Sequence, residues 1–128
     1  MIKVNEESKL VLDKLWKFAS KNNGYYKLNN DPTFMPLTIE LLDNNQISLC
    51  HYGEQNGDLM RDPEMVFWKD GNGDYFPFYF RNDYIGFEEF SGEIIDNKLV
   101  INNVEQQEGQ IEFTNIWMEN IKHQQGIK

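Results

Sequence analysis

The sequence predicts an α+β fold in which a mainly antiparallel sheet of five to seven strands is flanked by an N-terminal and a C-terminal helix. Three observations support this prediction. Apolar residues recur at helical spacing near both ends of the chain, the middle alternates between apolar and polar residues, and short turns rich in Asn, Asp and Gly separate the alternating runs. The length of 128 residues suits one domain, residues 1–128.

The first helix is predicted over residues 6–22. Asn5 supplies an N-cap, and Glu6 and Glu7 follow in the first turn, where the helix dipole favours anions. The stop signal is Asn22-Asn23-Gly24. One face of this helix is apolar and is expected to face the core; its residues are Val11, Leu12, Leu15, Trp16, Phe18 and Ala19.

Alternation predicts the strands that follow. A short strand at residues 25–28 precedes a half-buried strand at residues 37–41. Between them lies a rigid entry turn, whose Phe34 and Met35 are expected to pack on the sheet. The turn Asp43-Asn44-Asn45 then predicts a hairpin to a strand at residues 47–52.

A further hairpin is predicted around Asp70-Gly71-Asn72-Gly73, between strands at residues 65–69 and 75–81. A strand that is apolar on both sides is usually covered on both sides, so residues 75–81 are predicted inside the sheet. Its aromatic side chains are expected to alternate, with Phe76, Phe78 and Phe80 on one face and Tyr75 and Tyr79 on the other.

Weaker strand patterns at residues 87–95 and 98–102 are separated by an Asp96-Asn97 turn. After them, Asn103 can cap a helix, with Gln106 at the third position of a capping box. Gly109 costs about 1 kcal/mol relative to alanine inside a helix, so the second helix is predicted from 110 to 123. Its apolar stripe consists of Phe113, Ile116, Trp117 and Ile121.

The negative charge is concentrated in the middle of the chain. The formal net charge is −9, yet residues 31–96 hold fourteen acidic residues against three basic ones and therefore carry −11, whereas residues 1–30 carry +3. Such acidity argues against a nucleic-acid binder that works by phosphate neutralisation and against a polybasic membrane anchor. It leaves open a solvated surface that maintains solubility and an acidic patch that meets a basic partner.

A cytoplasmic location without membrane attachment is expected. The residues 1–9 lack the pattern of a signal peptide, and no run approaches the roughly 18–20 apolar residues of a membrane span. The single cysteine, Cys50, permits neither an internal disulfide nor a zinc site built on cysteines.

The densest polar segment runs from His51 to Glu64 and is predicted as a long loop between two strands. One interpretation is an ordered structural loop with turns at Asn56-Gly57 and Asp62-Pro63. Another is a metal or acid-base site that joins His51 to Glu54, Asp58 or Asp62, residue types that suit magnesium or manganese. The spacing matches no metal motif and no cofactor is indicated. Cys50 is expected to point away from His51, so these two residues form no catalytic dyad.

A second polar cluster lies at residues 81–84. Arg81 either forms local salt bridges to Asp83 or Glu89, or holds an anionic group beside Tyr79 or Tyr84. No catalytic residue is assigned. The candidate ligand-binding or partner-binding residues are His51, Tyr52, Glu54, Asn56, Asp58, Asp62, Glu64, Arg81, Asn82, Asp83 and Tyr84.

Three strings in the middle of the chain are long and unusual: NDPTFMPL at residues 30–37, HYGEQNGDLMRDPEM at residues 51–65 and FRNDYIG at residues 80–86. Together they resemble a family of small uncharacterised proteins carried by plasmids, phages and integrative conjugative elements. The resemblance covers residues 25–90. It implies a setting in which small accessory genes serve transfer, counter-defence or regulation, and it implies no residue roles.

The function expected from charge and resemblance is binding rather than catalysis. The partner would be a host or element-encoded protein, for example a nucleic-acid-handling defence enzyme inhibited through the acidic segment. The alternatives are a module for a small anionic ligand or nucleotide, a metal-assisted hydrolase that uses residues 51–64, and a toxin-immunity protein. A homodimer is left open, because an aromatic sheet face that the helices do not cover needs another chain.

Overall fold

The computed structural model describes residues 1–127. Six strands, β1 to β6, form one antiparallel sheet in chain order, and β7 and β8 form a separate antiparallel hairpin. The predicted α+β class is therefore confirmed. The elements are α1 (Glu6–Ser20), β1 (Tyr25–Leu28), β2 (Leu37–Leu42), β3 (Gln46–Gln55), β4 (Asp58–Lys69), β5 (Tyr75–Asn82), a 3₁₀ turn (Asp83–Ile85), β6 (Phe87–Phe90), β7 (Gly92–Ile95), β8 (Lys98–Ile101) and α2 (Val104–Gln124).

Both helices pack on one face of the large sheet and enclose the main core. Leu12 and Leu15 of α1 and Met118 and Ile121 of α2 are fully buried there, as periodicity requires of a core-facing stripe. The sheet contributes the side chains that alternate towards this face, including Leu37, Ile39, Ile47, Leu49, Met65 and Phe67.

The opposite face of β4 and β5 is covered by the β7–β8 hairpin. Leu99 of this hairpin packs with Trp68 and Phe76 in a second, smaller core. The hairpin is attached at Ser91, whose backbone N–H donates to Phe78 O (2.9 Å) and whose carbonyl accepts from Asn102 and Asn103. The predicted burial of β5 on both faces is thereby confirmed, and the chain itself supplies the second cover.

The predicted alternation of aromatic residues along β5 is wrong beyond Phe78. Val66 pairs with Tyr79 and Phe67 pairs with Pro77, so Phe78 is an extra residue that forms a β-bulge. The bulge shifts the facing of every later residue. Tyr79 therefore joins Phe76 and Phe78 in the second core, while Phe80 turns to the helix side.

Several element bounds also differ from the prediction. The helix α1 ends at Ser20 instead of residue 22, and the pattern at residues 87–95 is divided at Ser91 into β6 and β7. The helix α2 begins at Val104, not at residue 110, because its cap outweighs the cost of Gly109. Asn103 accepts a hydrogen bond from the Gln106 N–H (3.0 Å), as predicted, and the buried Gln107 bonds to Ile2 and Pro77.

Candidate functional site

The segment His51–Glu64 is a β-hairpin, so the prediction of a long loop is wrong. Strands β3 and β4 continue beyond the helix layer, with Gln55 paired to Asp58 around a two-residue turn. The turn residues Asn56 and Gly57 have φ values of 52° and 86°, which is the backbone that a tight hairpin turn requires. We call the paired segment Tyr52–Arg61 the arm. The Asn-Gly pair was the signal that indicates this hairpin in the sequence.

The arm is held against the sheet by one carboxylate. Asp83 accepts hydrogen bonds from the Arg61 backbone N–H (2.8 Å), from Arg61 Nε (3.1 Å) and from Arg81 Nε (2.7 Å). These bonds, the Arg61 backbone N–H first, lower the pKa of Asp83 to about 2. An exposed ion pair contributes only about 0–1 kcal/mol, but a carboxylate that accepts three bonds at once fixes the geometry of both arginines.

Further polar groups extend this network in two directions. Arg61 approaches Glu64 (3.5 Å), which accepts a hydrogen bond from Ser48 Oγ (2.9 Å). Arg81 contacts Glu88 (3.2 Å), which also accepts from Tyr79 Oη (2.6 Å). The predicted salt bridge from Arg81 to Asp83 is confirmed, and its second partner is Glu88 rather than Glu89.

The end of β5 and the 3₁₀ turn that follows it add two more contacts at the base of the arm. Asn82 donates from Nδ2 to Asp62 Oδ1 (2.9 Å). The ring of Tyr84 lies directly over Gly53, where any Cβ would collide with the Tyr84 hydroxyl. Glycine at position 53 therefore serves the close approach of Tyr84.

His51 lies on the other side of the sheet, buried against α2. Its Nδ1 bonds to the carbonyl of Pro36 (2.9 Å), and its Nε2 lies 3.1 Å from Trp117 Nε1. A carbonyl only accepts and an indole N–H only donates, so the ring is neutral, with its proton on Nδ1. Burial lowers the pKa of His51. Because the lone pair of Nε2 is occupied, this ring is not available as a base or metal ligand in this arrangement.

Burial also excludes Cys50 as a nucleophile. It raises the pKa of the Cys50 thiol to about 12, which keeps the sulfur protonated and unreactive near neutrality. The side chain lies beside Tyr52 and Glu64, away from the helix layer that holds His51. The predicted separation of Cys50 and His51 is confirmed. Within residues 1–127, no three His, Cys, Asp or Glu side chains are arranged to hold a metal ion.

The eleven candidate residues thus divide into three places. His51 belongs to the main core. Glu54, Asn56 and Asp58 lie exposed at the end of the arm, with Tyr52 exposed nearer its base. The residues that the structure brings together around the base of the arm are Asp62, Glu64, Arg81, Asn82, Asp83 and Tyr84.

Two concave surfaces include residues that the sequence did not single out. One is an open concavity of about 510 Å³ on the sheet face away from the helices, where Tyr52 and Leu59 of the arm meet Tyr25 and Glu40. Alternation on β1 and β2 places these side chains on that face, so the signal was present in the strand pattern.

The second concave surface follows one flank of α2. A cleft of about 440 Å³ contains Met35, His51 and Trp117, and a cleft of about 200 Å³ contains Phe80 and Phe87. Phe113 lines both clefts, so they adjoin along α2, and we call the two together the groove. Phe34 and Met35, which were expected to pack on the sheet, are 38% and 39% exposed at its edge.

Five rings form a row beneath this groove. Centroid distances are 5.9 Å from Phe87 to Phe80, 5.1 Å from Phe80 to Phe113, 5.7 Å from Phe113 to Trp117 and 5.4 Å from Trp117 to His51. Phe80 reaches this row only because of the bulge at Phe78, which is why alternation alone did not predict it.

No helix within residues 1–127 combines the length and the apolar character needed to cross a membrane. No curated protein and no solved structure matches the chain. A family model described as a domain of unknown function (DUF6908) matches residues 9–127, which is nearly the whole chain. The protein therefore belongs to the DUF6908 family.

Proposed function

We propose that this protein is an accessory protein of a mobile genetic element and acts by binding. Its acidic arm docks on a basic surface of a host protein, in the manner of an inhibitor that occupies the nucleic-acid site of a defence enzyme. The mobile-element setting rests on the resemblance of the three central strings. The mode of action rests on the charges of the arm and its surroundings.

The main observation behind the proposal is that the two arginines are neutralised by ion pairs, whereas the acids at the end of the arm are not. Arg61 and Arg81 are both engaged by acidic residues of the same segment. Glu54 and Asp58 at the end of the arm are exposed and form no ion pair with any residue from 1 to 127. The outward charge of the arm is therefore negative, which favours fast, salt-sensitive association with a basic partner.

Apolar side chains next to these acids supply contact area. Leu59 is 71% exposed and Tyr52 is 43% exposed, and both line the concavity beside Glu40. Protein interfaces combine such apolar anchors with a polar rim, because burial of the anchors provides affinity and the charges provide orientation.

The same geometry gives less support to the alternatives. The cation predicted for a small-anion site, Arg81, is held by Asp83 and Glu88, so such a site would have to use Lys27 of the concavity instead. A metal-assisted hydrolase needs His51, whose two ring nitrogens are already bonded. A toxin-immunity role would use the same acidic surface, and the identity of the captured partner distinguishes it from counter-defence.

The test is capture from host lysate with a paired set of charge variants. Glu54→Gln combined with Asp58→Asn neutralises the end of the arm. Glu93→Gln combined with Asp96→Asn removes the same charge from the exposed β7–β8 hairpin and serves as the control. We expect a nucleic-acid-binding protein to be retained at low salt and lost at high salt, and its retention to be abolished only by the arm variant.

Two results would refute this function. One is a captured partner whose retention does not change with salt. The other is equal loss of the partner with both double variants, which would mean that only total charge matters.

A further inference from the structure

We infer that the groove along α2 is a second docking surface, which receives an amphipathic segment of a protein partner carrying apolar anchors and Lys or Arg side chains. This inference does not depend on the arm. The groove lies on the helix side of the sheet, whereas the concavity beside the arm lies on the opposite face.

Exposed apolar surface is the first observation that supports it. Phe113 is 37% exposed and Phe87 is 42% exposed, and both line the groove rather than the core. Scattered exposed residues are normal on a protein surface, but these lie with the half-exposed Phe34 and Met35 in two adjoining clefts that share Phe113. Contiguous apolar surface of this kind is typical of binding grooves.

The second observation is Gly109, which lies in the second turn of α2 and lines the groove. Its φ is not in the left-handed region, and a Cβ at this position would meet nothing within 4 Å. Glycine inside a helix costs about 1 kcal/mol relative to alanine. No contact within residues 1–127 explains this cost, whereas an occupant that approaches the helix backbone does.

Charge defines the occupant. Glu89 lines the groove and is the only charged residue among those that line it within the described chain. Gln110 holds its carboxylate through Nε2 (3.2 Å), and no cation among residues 1–127 pairs with it. On the exposed side of α2, Glu105, Glu108 and Glu112 add negative charge. An apolar segment with Lys or Arg flanking its anchors complements this surface.

The same charges disfavour a second copy of this chain. In a symmetric dimer built on the groove, equivalent surfaces face one another, so Glu89 and Glu112 of one copy would approach those of the other. Juxtaposed like charges cost free energy, which leaves a basic heterologous segment as the better occupant.

The experiment uses the full chain labelled with ¹⁵N and three synthetic peptide probes. The first has Leu at helical spacing and Lys elsewhere, the second has Glu in place of Lys, and the third has Ser in place of Leu. We expect only the Leu/Lys peptide to shift the amides of Met35 and Phe113 and the indole signal of Trp117, whereas shifts of the arm amides at Glu54 and Asp58 should be the same with the Leu/Lys and the Ser/Lys peptides.

Three variants separate docking from folding. Phe113→Ala removes an anchor, and Gly109→Gln fills the groove while it raises the melting temperature by relieving the glycine cost. We expect both variants to raise the dissociation constant for the Leu/Lys peptide at least about tenfold. Ile116→Ala removes another exposed apolar side chain from α2, outside both clefts, and should leave binding within about twofold.

Several outcomes would overturn the inference. Equal shifts of the groove signals with the Leu/Lys and the Ser/Lys peptides would indicate non-specific attraction, and shifts confined to the arm would place binding elsewhere. Binding that Gly109→Gln leaves unchanged would show that the groove is not the site. A concentration-dependent dimer that Phe113→Ala abolishes would show that the groove binds a second copy of this chain.

Discussion

A single histidine illustrates how much the position of a side chain decides about its chemistry. His51 stands in the most polar string of the sequence, yet its ring lies between Pro36 and Trp117 with both nitrogens bonded. In this arrangement the imidazole ring links Pro36 to Trp117, and it has no free nitrogen for acid-base catalysis. The sequence favoured this outcome in one respect, since a histidine between alternating apolar residues usually belongs to a core.

The buried ring makes stability depend on pH. Its pKa is lowered from the usual value of 6.5, so the unfolded chain takes up a proton at a higher pH than the folded protein does. The stabilising contribution is complete above about pH 6.5 and is lost as the pH falls through the lower folded pKa. We therefore expect the free energy of unfolding to decrease between about pH 7 and about pH 5.

Urea denaturation at both pH values checks this prediction. His51→Gln keeps one donor and one acceptor but cannot titrate, so its stability should change less over this interval. His123→Gln alters an exposed histidine and is the control, in which the wild-type decrease is retained. An undiminished decrease in His51→Gln would contradict the assignment.

At the scale of elements, the arm depends on its brace. Asp83 joins Arg61 of β4 to Arg81 of β5 and satisfies a backbone N–H at the same time. Asp83→Ala should therefore lower the free energy of unfolding by about 1–3 kcal/mol, as expected for the loss of a hydrogen-bond partner of charged groups. Trypsin should also cleave faster at Arg61.

Asp58→Ala provides the matched control for this prediction. It removes an aspartate from the same hairpin at an exposed position without an ion pair among residues 1–127, so its effect should stay within about 0.5 kcal/mol. Equal effects of the two variants in urea denaturation would show that the brace contributes nothing.

The β7–β8 hairpin depends on one glycine. A Cβ at Gly92 would collide with the Val100 carbonyl and lie 3.1 Å from Ile101 Cα, and neither backbone atom can move without opening the hairpin. Gly92→Ala should cost about 1–3 kcal/mol in thermal or urea unfolding. Gly71→Ala, where nothing lies within 4 Å, should stay within about 0.5 kcal/mol, and a similar loss there would contradict the explanation.

The elements also show where sequence reasoning reaches its limit. Helix caps and tight turns depend on a few neighbouring residues, so the sequence predicts them well. The structure confirms the Asn5 cap, and it confirms the turns at Asn44-Asn45 and Asp96-Asn97 with positive φ at all four turn residues. The start of α2 was predicted too late because only the intrinsic helix propensity of Gly109 was considered. Gln107 and Gln110 hold the first turns of the helix through hydrogen bonds to distant segments, which propensity does not include. The pairing of Arg61 with Asp83, 22 residues away, depends on strand register, which composition does not reveal.

For the whole molecule, the shared sheet links the two cores. Met65 and Phe67 of β4 face the helices, while Val66 and Trp68 face the β7–β8 hairpin. Removal of side-chain volume on either side should therefore weaken the whole fold in one cooperative transition. Leu99→Ala should lower the free energy of unfolding by about 2–4 kcal/mol.

Two probes of the Leu99→Ala variant check this cooperativity. Circular dichroism reports the helices, and tryptophan fluorescence includes Trp68 beneath the hairpin. We expect the two midpoints to shift together. Separate midpoints would show that the hairpin and its core unfold independently of the helix side.

The extra residue in β5 decides which rings reach each side of the sheet. Up to Phe76 the side chains alternate in one phase, and from Tyr79 onwards they alternate in the opposite phase. Tyr79 therefore faces the hairpin side and Phe80 the helix side, the reverse of regular alternation. The same residues paired without the bulge would keep a single phase, which would turn Tyr79 to the helix side and point Phe80 away from Phe113. Removal of Phe78 would instead close the bulge and leave Tyr79 and Phe80 on their present sides. The extra residue in β5 is therefore what allows Phe76, Phe78 and Tyr79 to share the second core while Phe80 packs on the helix side.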